Sequence, residues 1–451
     1  MSLPRRDSEL SVLSRHAGSV LAGQLAVMAF GVIDTVVAGR YSDTALAALS
    51  VGSAVYISVY VSLIGIVQAL LPVYAELHGA QKPAELGRAL RQTLYLCAVI
   101  LVVGICLMLA PGPLLRWAEV PTATQPEIRN YLAVLAAAFA PALLFRSYAA
   151  LNQALGRPLL VTWIQIGSLL VKLPLSIWFV AGGAGLAPMG AVGCAWATLV
   201  VNYLMFALAL LLLRTQSVYR PLNLWRRPEP PDWHRIAEFA RLGVPGGLAT
   251  MIEITSFTLM ALFVARLGTV ASAGHQIAVS MTAMLYMFPL SLGIASSARV
   301  SYWMGAGEPR RARGAVITGF TMAAVCATVL GFALFAGRHF WASLYSTNPE
   351  VVALAGVLLG WVAVYHVADA VQCMCIFILR CYRITFAPML VYGIFLWCLG
   401  LAGGYLLTYQ GLAGTPAWQS PAGFWAAGAM ALWCVAALFL AMLAQAARRS
   451  R

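Results

Sequence analysis

The chain has 451 residues, of which 61% are hydrophobic and only 10% are charged, and its mean hydropathy is +0.83. Soluble domains carry roughly 25% charged residues, so the composition excludes a soluble globular protein and defines a membrane protein. The net charge of +14 would suit a nucleic-acid ligand, but its placement along the chain argues against one.

Apolar runs of roughly 20 residues, the length needed to span a bilayer, recur throughout. About twelve are expected, near residues 17–38, 46–75, 92–115, 131–153, 159–181, 190–213, 243–265, 270–298, 314–336, 351–379, 385–408 and 422–446. In chain order, the polar N-terminus MSLPRRDSELSVLSRH leads straight into a full-length span, so insertion by helix 1 is expected rather than a cleavable signal. Helix 1 carries Asp34 inside the run SVLAGQLAVMAFGVIDTVVAG. An ionised carboxylate at bilayer depth costs at least about 2.5 kcal/mol, so it needs a partner, a proton or a purpose. Helix 5, in SLLVKLPL, carries Lys172, the one intramembrane lysine.

The longest polar interruption, RTQSVYRPLNLWRRPEPPDWHR from Arg214 to Arg235, reads as a cytoplasmic linker. It divides the chain into a first lobe over 1–213, a linker over 214–236 and a second lobe over 237–451. Helix 7 holds Glu253 in TMIEITSF, and helix 10 holds Asp369 in YHVADAVQ. The other acidic residues fall in tails, loops or span ends. On helix 8, Met281, Met284 and Met287 recur every three residues, which fits helix packing or an adaptable drug surface. The nine cysteines lie in or beside apolar spans, and Cys373 and Cys375 have the wrong spacing for a CxxC pair. Buried packing is therefore expected, not a disulfide framework or a zinc site.

With the N-terminus inside, 23 of the 29 basic residues fall in inner loops and tails, five fall in outer loops, and Lys172 completes the set. This is the positive-inside pattern, and it places both termini in the cytoplasm with no nucleic-acid partner. The two halves also resemble each other. ELHGAQKPAELGRA (76–89) aligns without a gap on YWMGAGEPRRARGA (302–315), an offset of 226 that also carries Arg40 onto Arg266 and Gly167 onto Gly393. An even number of spans per repeat gives both halves one orientation, related by a pseudo-two-fold axis along the membrane normal. The expected fold is thus all-α and polytopic, with about twelve transmembrane helices in two six-helix repeats.

Asp34, Glu253 and Asp369 are the three acids inside spans. An ion pair with Lys172 would silence only part of that set, leaving at least two acids to titrate or bind a cation. A carboxylate in low dielectric can hold a proton near neutral pH and release it when its site opens or a cation arrives, so exchange of H⁺, Na⁺ and a cationic solute is the natural use. Other chemistries lack their motifs. The only lysines, Lys82 and Lys172, follow Gln81 and Val171, so no Gly-Lys-Ser/Thr phosphate loop exists. No serine has glycine two positions before it, which removes the GxSxG elbow, and GxGxxG is missing. Two acids sharing a proton could serve an intramembrane aspartyl protease, but Asp369 follows His366, Val367 and Ala368 instead of a Gly-x-Gly signature.

These residues resemble the multidrug and toxic compound extrusion family, in its bacterial norfloxacin-exporter branch. The carriers are DTVVAGR at Asp34, RLGVPGGLATMIEITSF at Glu253, AGHQIAVS at His275, MFPLSLGIASSARVSYWMG in helix 8, and ADAVQ with the following LRCYR at Asp369. The resemblance implies a monomeric two-lobed exporter of the bacterial inner membrane that trades inward Na⁺ or H⁺ for outward cationic hydrophobic drugs, with no cofactor beyond the coupling ion. It implies that Asp34 is the acid of the first lobe and that Glu253 and Asp369 form the cation site of the second, with Tyr365 leaning over it. Phe257 and Gln276 would line the cavity nearby. Two departures stand out: SVLAGQLA in helix 1 lacks the usual proline, leaving glycines 18, 23 and 31 as bending points, and Lys172 stands where an uncharged polar residue is usual. A lysine there could pair with Asp34 and weaken it as a proton carrier, shifting coupling toward Glu253 and Asp369. A lipid or precursor flippase of the same superfold is the alternative, expected to carry a basic cavity instead of three acids. A channel would show flux without counter-ion dependence.

Overall fold

The computed structural model describes residues 8–117, 121–122, 124–183, 185–227, 229–411 and 416–449; the tail charges Arg5, Arg6 and Arg451 lie outside them. Among the described residues, twelve helices are long and apolar enough to cross a membrane. They are α1 (Glu9–Tyr41), α2 (Asp43–Gly79), α3 (Pro83–Leu109), α4 (Gln125–Ala154), α5 (Pro158–Ala181), α6 (Ala191–Thr215), α7 (Trp233–Ala265), α8 (Thr269–Gly305), α9 (Pro309–Ala336), α10 (Pro349–Cys381), α11 (Phe386–Gln410) and α12 (Ala422–Arg449). At 1.5 Å per residue even a 24-residue helix such as α5 runs about 36 Å, more than the ~30 Å hydrocarbon core. The helices overrun the expected spans at their polar ends: α7 begins at Trp233 rather than near 243, and α8 continues to Gly305 rather than near 298. Hydropathy marks only the part of a helix that sits in oil, whereas backbone hydrogen bonding continues past it into water.

Local chemistry sets the ends. Helices α3, α5, α9 and α10 open on proline, whose fixed φ and missing N–H suit the first helical position. Ser42 accepts from the Ala45 amide at 3.1 Å to cap α2, and Asn348 accepts from the Glu350 amide at 3.0 Å to cap α10. Gly182, at φ +77°, ends α5 in a conformation that a side chain would strain. Interior prolines occur in α4 (Pro141), α5 (Pro174), α7 (Pro245) and α8 (Pro289). A two-residue turn at Ala69 and Leu70 interrupts α2, and α11 passes into π-helix over Phe395–Ala402 and Leu406–Gln410. Helix α1, without proline, is one unbroken helix of 33 residues.

The chain forms two compact units. The first comprises Gly18–Gly247 with Met304–Gly307, and the second comprises Met1–Ala17, Leu248–Trp303 and Glu308–Arg451. In the first unit, Ala38, Leu49, Tyr131, Leu135 and Cys194 pack into one core. In the second, Ile277, Leu358, Val362, Phe424 and Trp425 do the same. Large apolar side chains such as Val102, Leu170 and Phe332 stand outward and exposed, as they must where the solvent is lipid. This is a multi-pass membrane protein.

The polar segment after α6 is ordered against α3 and α4. Tyr219 donates to Asn152 Oδ1 at 2.6 Å, Arg91 donates to the Asn223 carbonyl at 2.9 Å and to Glu229 Oε1 at 2.8 Å, and Arg88 pairs with Glu229 Oε2 at 2.9 Å. Gly87 lets the Leu222 carbonyl sit against the α3 backbone, where a Cβ would collide.

Candidate functional site

Two clusters hold the intramembrane charges, one in each unit. In the first unit, helical spacing puts Lys172 and Ser176 on one face of α5, and Cys194 and Thr198 on one face of α6. Both faces meet Asp34 of α1. The Lys172 ammonium, with a side chain 0% exposed, lies 2.8 Å from Asp34 Oδ1 and 3.0 Å from Oδ2. It also donates to Thr198 Oγ1 at 2.6 Å and to the Cys194 carbonyl at 3.2 Å. Ser176 donates to Asp34 Oδ1 at 3.2 Å, and the Cys194 thiol points at the Asp34 main-chain carbonyl at 3.7 Å. The pairing between Lys172 and Asp34, open in the sequence, is formed here.

In the second unit, Glu253 of α7 and Asp369 of α10 lie close enough to interact directly through their charges. Residues Tyr365, Asp369 and Cys373 recur every four positions and so share a face of α10. Gln372 donates to Asp369 Oδ1 at 2.9 Å, while its own carboxamide oxygen is buried without a partner. Three tyrosines surround the two carboxylates: Tyr365 from α10, Tyr286 from α8 and Tyr392 from α11. Tyr392 sets its hydroxyl beside Glu253, outside ordinary hydrogen-bond geometry. Tyr286 places its hydroxyl 4.0 Å from the Cys373 sulfur. Among the described residues neither Glu253 nor Asp369 has a basic side chain at salt-bridge distance, in direct contrast to Asp34. Two carboxylates sharing a low-dielectric site cannot both stay ionised unless a cation joins them.

Aromatic rings cover this site. The Tyr365 ring meets Phe257 edge-on at 6.3 Å and Trp425 edge-on at 5.8 Å, and Phe257 and Trp425 lie 6.1 Å apart. Trp425 is locked from behind, since its indole N–H donates to His275 Nδ1 at 3.3 Å. Phe257, Tyr365 and Trp425 border a cavity of about 30 Å³, which holds a water or two and not a drug.

The structure therefore gathers Glu253, Asp369, Tyr365 and Phe257 in one cluster, and Asp34 and Lys172 in another. Gln276 is exposed on α8, one residue round from the buried His275, and joins neither. Met281 is buried in the core, Met284 is exposed and Met287 lies between, because a three-residue step turns 60° short of a full helical rotation; the three share no single surface. Cys373 and Cys375 are both buried free thiols. Sequence reasoning missed Trp425, Tyr286 and Tyr392, which are unremarkable aromatics in a chain rich in them, and marked His275 only as part of a motif, not as the partner of Trp425. Gln372 did carry a signal, standing one turn from Asp369 in the ADAVQ string.

Twelve spanning helices among the described residues, in two units that each hold intramembrane charges, define the class as a membrane transporter. A family model, MatE, matches residues 20–178 and 245–406. The probable multidrug resistance protein NorM of Aromatoleum aromaticum is 38% identical over 439 residues, covering 97% of this chain and 94% of that protein. The multidrug resistance protein PmpM of Pseudomonas aeruginosa is 33% identical, covering 98% and 92%. In fold, the chain matches the eukaryotic MATE transporter AtDTX14 with a TM-score of 0.86 at 21% identity, covering 98% of each chain. It matches the Vibrio cholerae MATE transporter VcmN in its bent form with a TM-score of 0.82 at 16% identity, covering 98% and 97%. The chain belongs to the MatE family.

Proposed function

We propose that the protein is a secondary active multidrug exporter of the bacterial inner membrane, with both termini cytoplasmic, that moves hydrophobic cations outward against inward Na⁺ or H⁺. The observation that carries this reading is the pair of Asp369, buried, and Glu253, half-buried beside it, without a basic partner among the described residues. Such a pair gains from any cation that joins it, whether a proton, Na⁺ or a cationic solute. Carboxylate and carboxamide oxygens suit a hard ion, and the Tyr365 ring adds a face that attracts positive charge. The names of the relatives, multidrug resistance proteins, support the substrate class, and the excess of basic residues on one side supports the orientation. A bound cation drives transport only through its different affinity for two conformations, so the site must open to opposite sides in turn.

The test is export of ethidium by proteoliposomes under Na⁺ and pH gradients imposed separately. Glu253→Gln and Asp369→Asn are each expected to lower cation-stimulated efflux at least about tenfold, the equivalent of 1.4 kcal/mol of lost coupling, with normal insertion. If gradient-driven efflux or ²²Na⁺ binding survives in the Glu253→Gln, Asp369→Asn double variant, coupling does not reside there.

A further inference from the structure

The segment that follows α6 sorts its charges by side. Between Arg214 and Arg235 it carries five arginines and two acids. Both acids turn toward α3: Glu229 pairs with Arg88 at 2.9 Å and with Arg91 at 2.8 Å, and Asp232 lies 3.7 Å from Arg88. Tyr219 and Leu222 are buried, and Tyr95 of α3 donates to the Glu229 carbonyl at 2.7 Å. Arg214, Arg220, Arg226 and Arg227 are all exposed, and among the described residues none has a carboxylate at salt-bridge distance. The inward face is thus neutralised by α3, while the outward face is left with charge of one sign.

The depth of that outward face follows from α6 itself. Leu211 is 56% exposed within an apolar span, so it faces lipid. Arg214 comes three residues later on the same side of the helix, a rise of about 4.5 Å. Its guanidinium lies over the Trp225 ring at 4.8 Å, and Trp225 is itself 55% exposed. A tryptophan held from the turn beyond a lipid-facing leucine stands at headgroup level, where such amphipathic rings settle.

We propose that this face binds the headgroup of an anionic phospholipid, with Trp225 seated at the headgroup boundary and the outward arginines holding the phosphate. A guanidinium presents paired N–H donors that match phosphate oxygens. A zwitterionic headgroup brings its own cation up to the arginines and gains less, whereas phosphatidylglycerol brings none. The inward contacts fix the backbone in advance, so binding orders side chains alone. The site stands apart from Glu253 and Asp369, and its test does not depend on where transport is coupled.

The experiment titrates short-chain phosphatidylglycerol into micelles of the full chain and follows hydrogen exchange of peptides covering 214–227. Short-chain phosphatidylcholine and inorganic phosphate are titrated separately. Phosphatidylglycerol is expected to slow exchange in this segment, less so at high ionic strength, and the other two are not. Each arginine near an anionic surface contributes about fivefold, so the Arg220→Gln, Arg226→Gln, Arg227→Gln triple variant should raise the half-maximal concentration on the order of a hundredfold. The same three positions changed to lysine keep the charge and should lose much less. Trp225→Ala, which keeps every arginine, is the second variant and should also weaken the protection. In the absence of lipid the triple variant should unfold at the wild-type temperature, because the contacts of Tyr219, Arg88 and Arg91 are untouched. The proposal is overturned if phosphatidylglycerol leaves the wild-type segment unprotected, or if protection is unchanged in both the glutamine triple variant and Trp225→Ala. Equal protection by inorganic phosphate also overturns it, since that marks a free-anion site and not a lipid site.

Discussion

Trp425 is the side chain on which the order of the second-unit site depends most directly. It is 1% exposed and packs against Phe257, Tyr365 and His275 at centroid distances of 6.1, 5.8 and 5.9 Å. Truncation to alanine removes a buried aromatic, which costs about 3–5 kcal/mol in well-packed interiors, with about 0.5–1.5 kcal/mol of that order attached to each lost ring pair. Phenylalanine fills most of the volume but leaves His275 Nδ1 without its donor, for a cost of about 1 kcal/mol. Unfolding in mixed micelles, followed by loss of helicity, is expected to rank wild type above Trp425→Phe above Trp425→Ala with those spacings. Tyr365 stands one turn before Asp369 and leans on Trp425, so Trp425→Ala should also lower Na⁺- or H⁺-stimulated dye efflux beyond the loss of folded protein, and Trp425→Phe should largely keep it. An alanine variant that loses less than about 1 kcal/mol, or that loses stability with an unchanged ion dependence per folded molecule, refutes the claim that this ring supports the site.

Two further expectations concern packing and pH. A Cβ on Gly193 would stand 2.6 Å from Phe179 backbone, so Gly193→Ala should force α6 off α5 and cost about 1–3 kcal/mol. Gly31→Ala meets nothing within 4 Å in a helix and should be neutral or stabilising in the same unfolding assay. The hydrogen bond from Arg91, with Arg88 alongside, holds the Glu229 carboxyl below its usual range. Its contribution to docking the segment after α6 is therefore present above the unfolded value of about 4.3 and is lost as pH falls through the depressed folded value. Hydrogen exchange of peptides covering 217–235 should be faster in Glu229→Gln than in wild type at pH 7, and the difference should shrink as pH falls through the depressed folded value. A difference that does not change with acidification contradicts the assignment.

Span positions were legible in the sequence because crossing a bilayer is a local property: roughly 20 apolar residues declare themselves whatever they pack against. The three acids were legible for the same reason, standing out against oil. What the residues pack against was not. Asp34 and Lys172 are 138 residues apart, and only the facing of α1, α5 and α6 brings them into contact. Tyr286 and Tyr392 come to the carboxylates from α8 and α11 by helix rotation, which hydropathy does not encode. Likewise, the segment rich in arginine and proline after α6 reads only as a cytoplasmic linker, because nothing in its own composition reveals that Arg88 and Arg91 of α3 pair with Glu229.

The ion pair between α1 and α5 also has a history in the making of the chain. Asp34 is synthesised and inserted 138 residues before Lys172, so at about 5–20 residues per second it stands in the nascent membrane protein for roughly 7 to 28 s without its counter-charge. During that interval α1 must tolerate the acid through the surplus of its apolar neighbours. A lysine at a helix centre costs about 2.5–3.5 kcal/mol on entering the bilayer alone, yet α5 arrives to find the Asp34 carboxylate already in place. Synthesis order thus brings the counter-charge in with α5, ahead of the Cys194 and Thr198 contacts that α6 adds, and a lesion at Asp34 should show itself first as failed insertion of a helix four spans downstream.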